Sequence, residues 1–123
     1  MLLGNIYSLL GDYEKAMKNF DKCLTIDPNN AGCYISRGFA YYLMGEYQKA
    51  FEDCDKAVQI DPTDAKGFSN RGVANACIGN YTQALADCDS AIKIDPQDTE
   101  LYYDRGLVYY HCREYKKAIA AFN

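Results

Sequence analysis

Two consecutive stretches decide the fold: residues 31–64, AGCYISRGFAYYLMGEYQKAFEDCDKAVQIDPTD, and residues 65–98, AKGFSNRGVANACIGNYTQALADCDSAIKIDPQD. Laid over each other without a gap they agree at 15 of 34 positions, whereas unrelated chains of ordinary composition agree at roughly one in fifteen. The period runs outward in both directions. Gly4, Gly38, Gly72 and Gly106 keep the same step, as do Tyr13, Tyr47, Tyr81 and Tyr115, and Ala16, Ala50, Ala84 and Ala118. Asp27-Pro28, Asp61-Pro62 and Asp95-Pro96 recur with them. A repeated unit of this size cannot bury its apolar face alone, so the units are predicted to stack on one another.

Each unit reads as two helices. Tyr47, Ala50, Phe51, Cys54, Ala57 and Val58 follow i, i+3, i+4, i+7 spacing, and Tyr81, Ala84, Leu85, Cys88, Ala91 and Ile92 repeat that stripe one period later. The segments before them, such as residues 31–44, carry small and aromatic residues almost all round, as expected of a helix with neighbours on two sides. Gly11, Gly45 and Gly79 divide the two helices, followed by Asp12, Glu46 and Asn80, of which Asp and Asn are strong N-caps. The Asp-Pro pairs end the second helix, because proline disfavours a helical conformation in the residue before it. No strand pattern occurs.

These residues resemble the tetratricopeptide repeat, a helix-turn-helix unit of the same period. Leu3-Gly4, Tyr7, Gly11, Tyr13, Ala16, Phe20 and Pro28 carry its signature in the first unit, and the resemblance covers essentially the whole chain. It implies an all-α, right-handed superhelical solenoid of stacked antiparallel helix pairs. Residues 1–123 form a single array with units at 1–30, 31–64, 65–98 and 99–123. The first and last units are incomplete, so the chain is expected to be a piece of a longer array whose unfinished ends favour self-association, through the stripe of Tyr115, Ala118, Ile119 and Phe122 above all.

Three departures from the family pattern concern polar or thiol groups. Arg37, Arg71 and Arg105 stand where an apolar residue is usual. A desolvated guanidinium needs carboxylate partners, and Asp53 and Asp87, 16 residues after Arg37 and Arg71, are the candidates within each unit. Asp87 is also the candidate for Arg105, because position 121 holds alanine. Cys23, Cys54 and Cys88 take packing positions and are expected to be inert, reduced core thiols; Cys33, Cys77 and Cys112 lie on first helices. Asn75 replaces the ring found at Tyr7, Tyr41 and Tyr109, which predicts a local gap or a buried water.

Composition excludes several function classes. Thirteen Lys and Arg against 17 Asp and Glu give a net charge of −4 with no basic run, which disfavours nucleic acid. The longest apolar runs are a few residues, far below the roughly 18 of a membrane span. The amino end lacks a basic flank and an apolar core, so no secretory leader is read and a cytoplasmic location is expected. Six cysteines without a CxxC, and a single histidine, His111, write no metal site, and no cofactor is implied. With no Gly-rich phosphate loop, HExxH or GxSxG, no enzyme activity is expected.

The resemblance implies a protein-interaction module that binds a peptide or protein segment along a concave wall of first helices. Carried over position by position, the groove residues are Asn5, Ile35, Ser36, Phe39, Tyr42, Lys66, Asn70, Val73, Tyr103, Asp104, Leu107 and Tyr110. Two alternatives stand beside this: a structural spacer or self-assembly element, and a co-chaperone that clamps the terminal carboxylate of a chaperone tail. The clamp positions hold Met1, Asn5, Ser36, Lys66 and Asn70, of which only Asn5 and Lys66 match the family's clamp.

Overall fold

A computed structural model describes the backbone of residues 2–122, and the side chains in that span other than those of residues 2, 117–119, 121 and 122. Seven helices follow in order: α1 (Leu2–Leu9), α2 (Tyr13–Ile26), α3 (Ala31–Leu43), α4 (Tyr47–Ile60), α5 (Ala65–Cys77), α6 (Tyr81–Ile94) and α7 (Thr99–Phe122). Among the described residues there is no strand. The fold is an all-α helical-repeat solenoid. First helices pack in a row, α1 on α3, α3 on α5 and α5 on α7, while α2, α4 and α6 each pack on a first helix before and after, their backbones kept apart from one another among the described residues. One wall of the molecule is therefore made of first helices alone.

Local chemistry sets the boundaries. Gly11, Gly45 and Gly79 turn the chain with φ of 80°, 80° and 92°, a left-handed conformation that costs an L side chain about 1–2 kcal/mol. Asp27, Asp61 and Asp95 leave the helix at φ near −136°, −135° and −138°, each still donating its N–H to the carbonyl four residues back. The Asp12 carboxylate accepts from the Lys15 N–H and caps α2. Asn80, expected to cap α6, makes no such bond; its amide turns back and donates to Asn75 Oδ1.

Helices cross through small residues. Ala16, Ala50 and Ala84 are at most 1% exposed. Opposite them, a Cβ placed on Gly38 would lie 2.8 Å from the Cys54 sulfur, and one on Gly72 would lie 3.0 Å from the Ala84 carbonyl oxygen. The thiols of Cys54 and Cys88 are buried in this crossing, and burial pushes both up to about 12.

The arginines form double clasps. Arg37 donates through Nε and Nη2 to Asp53 (2.8 Å each) and through Nη1 to Asp21 (3.0 Å). Arg71 repeats this with Asp87 (3.0 and 2.7 Å) and Asp55 (2.9 Å). The pairing expected inside each unit is present, and a second carboxylate from the preceding unit adds to it, so each clasp ties neighbouring units together. Asn75 is buried and paired: its amide donates to Asp87 at 2.9 Å, and Gln83 donates to the same carboxylate at 3.0 Å.

Three expectations are corrected. Asp87, already taken by Arg71, Asn75 and Gln83, makes no ion pair with Arg105, whose guanidinium lies 5.3 Å from the centre of the Tyr102 ring. Cys23 is not a free core thiol: it is bonded to Cys33, because the end of α2 abuts the start of α3 and brings their Cα atoms to 6.6 Å. The fourth unit does not turn back. Arg113 stands where Gly11, Gly45 and Gly79 make the earlier turns, and α7 runs on as one helix of 24 residues. The exposure expected for Ala118, Ile119 and Phe122 lies outside the described side chains; Tyr115 is 50% exposed.

Candidate functional site

The wall of first helices contains a groove of two hollows. The first, about 240 Å³, lies between α3, α5 and α7 and is lined by Phe39, Tyr42, Leu43, Asn70, Val73, Tyr103, Asp104 and Leu107. Because Gly38 has no side chain, Ala50 and Cys54 of α4 reach its floor. The second, about 420 Å³, is lined by Asn5 and Leu9 of α1, Ile35, Ser36 and Phe39 of α3, Lys66 and Asn70 of α5, and Glu100, Leu101 and Asp104 of α7. Phe39, Asn70 and Asp104 border both hollows, so they join into one groove crossing four helices.

Eleven of the twelve groove residues read from the sequence line these hollows. Tyr110 does not; it is 60% exposed and meets the edge of His111, with ring centres 5.9 Å apart. Val73, Ile35 and Ser36 are buried and form the base of the wall, while Tyr103 stands 69% exposed on its rim. Phe39 stacks on Tyr42 at 6.3 Å, and Tyr42 leans on Tyr47 at 5.9 Å, which holds these rings in place. Leu9, Gly38, Leu43, Ala50, Cys54, Glu100 and Leu101 are lining residues absent from the twelve. Leu9 carried a signal in the sequence, standing one period before the lining residue Leu43; the α4 floor becomes visible only once Gly38 is seen against that helix.

Charge is unevenly placed. Lys66 Nζ lies 4.0 Å from Glu100, so the groove's one lysine already faces a carboxylate. Asp104 accepts a 2.7 Å hydrogen bond from the Ser69 hydroxyl. Burial pushes its carboxyl above the usual range; Ser69 and Lys66 oppose this, and Glu100 and Asp98 add to it. Burial likewise raises the Tyr42 phenol.

No group of three or more His, Cys, Asp or Glu capable of holding a metal occurs among the described residues. Cys77 Sγ lies 3.9 Å from His111 Nε2, but burial raises its thiol rather than activating it. No helix among the described residues is long and apolar enough to cross a membrane.

Family models and solved structures agree with this architecture. Models of the tetratricopeptide repeat match residues 31–64 and 78–123, and a TPR repeat model matches residues 4–45. No curated protein sequence matches significantly. The second TPR domain of human RPAP3, solved with the HSP70 peptide SGPTIEEVD, is similar at 25% identity and TM-score 0.76, over 86% of this chain and 88% of that one. The TPR domain of Arabidopsis OM64 is 27% identical, with TM-score 0.78 over 88% and 89%. The first TPR domain of human RPAP3 shares the fold at TM-score 0.82 over 93% and 90%, with 24% identity. With repeat models matching from residue 4 to 123 but for a short gap, and the helix pairs, crossing glycines and Asp-Pro stops in register, the chain belongs to the tetratricopeptide-repeat family.

Proposed function

We propose that this chain is a protein-interaction module that takes an extended peptide or protein segment in the groove of first helices. The observation that carries this is the continuity of the two hollows across α1, α3, α5 and α7, with Phe39 at their junction and Tyr103 exposed at the rim. A long trough with apolar walls and a few polar points suits a chain segment, because side chains enter the hollows while Asn5 and Asn70 serve the backbone. The RPAP3 domain, solved with a peptide, supports the same use of the fold.

The test is partner binding by Phe39→Ala and Tyr103→Ala after each variant is shown to fold. Truncating an aromatic anchor costs about 2 kcal/mol or more of binding, and full binding by both variants would move the site elsewhere. The chaperone-tail clamp is less well supported: of its five positions only Asn5 and Lys66 match, and Lys66 faces Glu100. A carboxylate ligand needs charge-assisted donors, and here the neighbouring groups are acids.

Self-association is a second reading, favoured by one observation. A Cβ on Gly106 would meet nothing within 4 Å, and Tyr102 and Tyr109 beside it are 42% and 54% exposed. Light scattering after size-exclusion chromatography decides it, since a monodisperse monomer leaves that face without a self-partner.

A further inference from the structure

Resting on the peptide-groove reading above, we propose that the hollow between α3, α5 and α7 receives one Lys or Arg side chain of the bound segment, its stem against Phe39, Tyr103 and Leu107 and its charged head on Asp104. Size is the first support. At about 240 Å³ the hollow falls below the roughly 300–1,000 Å³ of small-molecule clefts and suits a single long side chain. Its lining is mostly apolar, with the Asn70 amide, the Asp104 carboxylate and the hydroxyls of Tyr42 and Tyr103 as its polar groups, which matches a side chain with a hydrocarbon stem and a polar tip.

Charge complementarity is the second. Asp104 is partly buried, and its one hydrogen bond comes from a neutral hydroxyl, that of Ser69. Arg37 on α3 and Arg71 on α5 are taken by Asp21, Asp53, Asp55 and Asp87, and Arg105, next to Asp104 in sequence, lies over the Tyr102 ring. Lys66 is drawn to Glu100. Among the described residues Asp104 has no ion-pair partner within 4 Å, and desolvation holds its carboxyl above the ordinary range. A cation from the ligand supplies the missing partner, in a setting drier than a surface ion pair. The same carboxylates repel an acidic segment, so the preference has both an attractive and a repulsive element.

The experiment uses pools of synthetic twelve-residue peptides, each pool with one position fixed as Lys, Arg, norleucine or Glu, titrated against the full chain by fluorescence anisotropy. At one position the Lys and Arg pools should bind about five- to tenfold more tightly than the Glu pool, as expected of one partly desolvated charge pair. Asp104→Lys should reverse that order at the same position, and Phe39→Ala should weaken every pool. If wild type binds the pools and loses them in Phe39→Ala, yet Glu equals or exceeds Lys and Arg, the cationic pocket is wrong and the groove stands. The pocket is equally wrong if the Lys and Arg preference survives Asp104→Lys unchanged. If no pool binds wild type at all, the groove reading fails and takes the pocket with it.

Discussion

The second and third units and the fourth carry the same first helix and end differently. In the former, Gly38 and Gly72 are met by a returning second helix, and Arg37 and Arg71 are each clasped by two aspartates. In the fourth, Gly106 faces open space, Arg105 rests on a tyrosine ring, and Asp104, which aligns with Ser36 and Asn70, accepts from a hydroxyl. Two residues separate the outcomes: a left-handed turn needs glycine and position 113 holds arginine, and position 121, where the clasping aspartate stands in the second and third units, holds alanine. Where units are complete, polar groups serve stability. Where the pattern breaks, α7 leaves the rim of the groove exposed and its acid without a cation.

The largest effect should come from Asp87→Ala, which strips partners from the Arg71 guanidinium, from the buried Asn75 amide and from the Gln83 amide together. Removing one side of a buried ion pair costs about 3–5 kcal/mol. Urea denaturation should place Asp53→Ala below this value, since Asp53 serves Arg37 alone. Arg105→Ala, which breaks no ion pair, should fall within about 0.5 kcal/mol of wild type. Equal losses at all three positions would erase the contrast between clasped and open units.

Next in size is the Cys23–Cys33 bond, which gives the α2–α3 junction a covalent tie where the α4–α5 junction has Ala57 and Gly67. Closing a loop of 10 residues should be worth about 2–3 kcal/mol through the unfolded chain. Denaturation with and without a reductant measures it, and Cys23→Ser should behave as the reduced protein does. No difference between the two conditions would mean that the junction holds by packing alone.

The glycines of the crossing sharpen the comparison with opposite signs. Gly72→Ala should destabilise by about 1–3 kcal/mol, because its methyl meets the Ala84 carbonyl and the Asp87 Cβ at 3.0 and 3.2 Å. Gly106→Ala meets nothing and replaces a poor helix former inside α7, so it should stabilise by about 0.5–1 kcal/mol. Thermal melts of the pair read both. A loss at Gly106 equal to that at Gly72 would show a second helix docked there in solution.

Much of this was legible in the residues. The period, the Asp-Pro stops and the spacing of 16 between arginine and aspartate are one-dimensional, and the helical register converts them directly into contacts. The straight α7 had its signal too, since Arg113 breaks the glycine series that makes the other turns. The second carboxylate of each clasp follows from the same spacing taken backward to Asp21 and Asp55. The disulfide was not legible, because it depends on how closely the end of α2 meets the start of α3, which no periodicity encodes. The Asn75 amide was likewise opaque: its partner Asp87 is reached across the pair of helices, and only the packed crossing brings them to 2.9 Å. In the groove, eleven of the twelve residues that the repeat assigns lie at the hollows, while Tyr110, one period after Ala76 and two after Tyr42, stands on α7 outside them.

The smallest effect concerns the acid that the broken pattern leaves without a cation. Burial raises the Asp104 carboxyl in the folded chain above its unfolded value, so the folded state binds its proton more tightly. The contribution to stability is therefore fully present below the unfolded pKa and is lost as pH rises through the folded one. At neutral pH the ionised Asp104 opposes folding. Asp104→Asn keeps the shape and a hydrogen-bonding group for Ser69 while removing the charge, and should stabilise the unliganded protein at pH 7 by up to about 0.5 kcal/mol. The gain should vanish toward pH 3, where the carboxyl is protonated in both states. Asp87→Asn should show the opposite sign at pH 7, since that carboxylate is clasped by Arg71. If Asp104→Asn instead destabilises at neutral pH as Asp87→Asn does, Asp104 is a structural acid of the same kind, and the distinction between a closed body and an open binding edge fails at the residue that most depends on it.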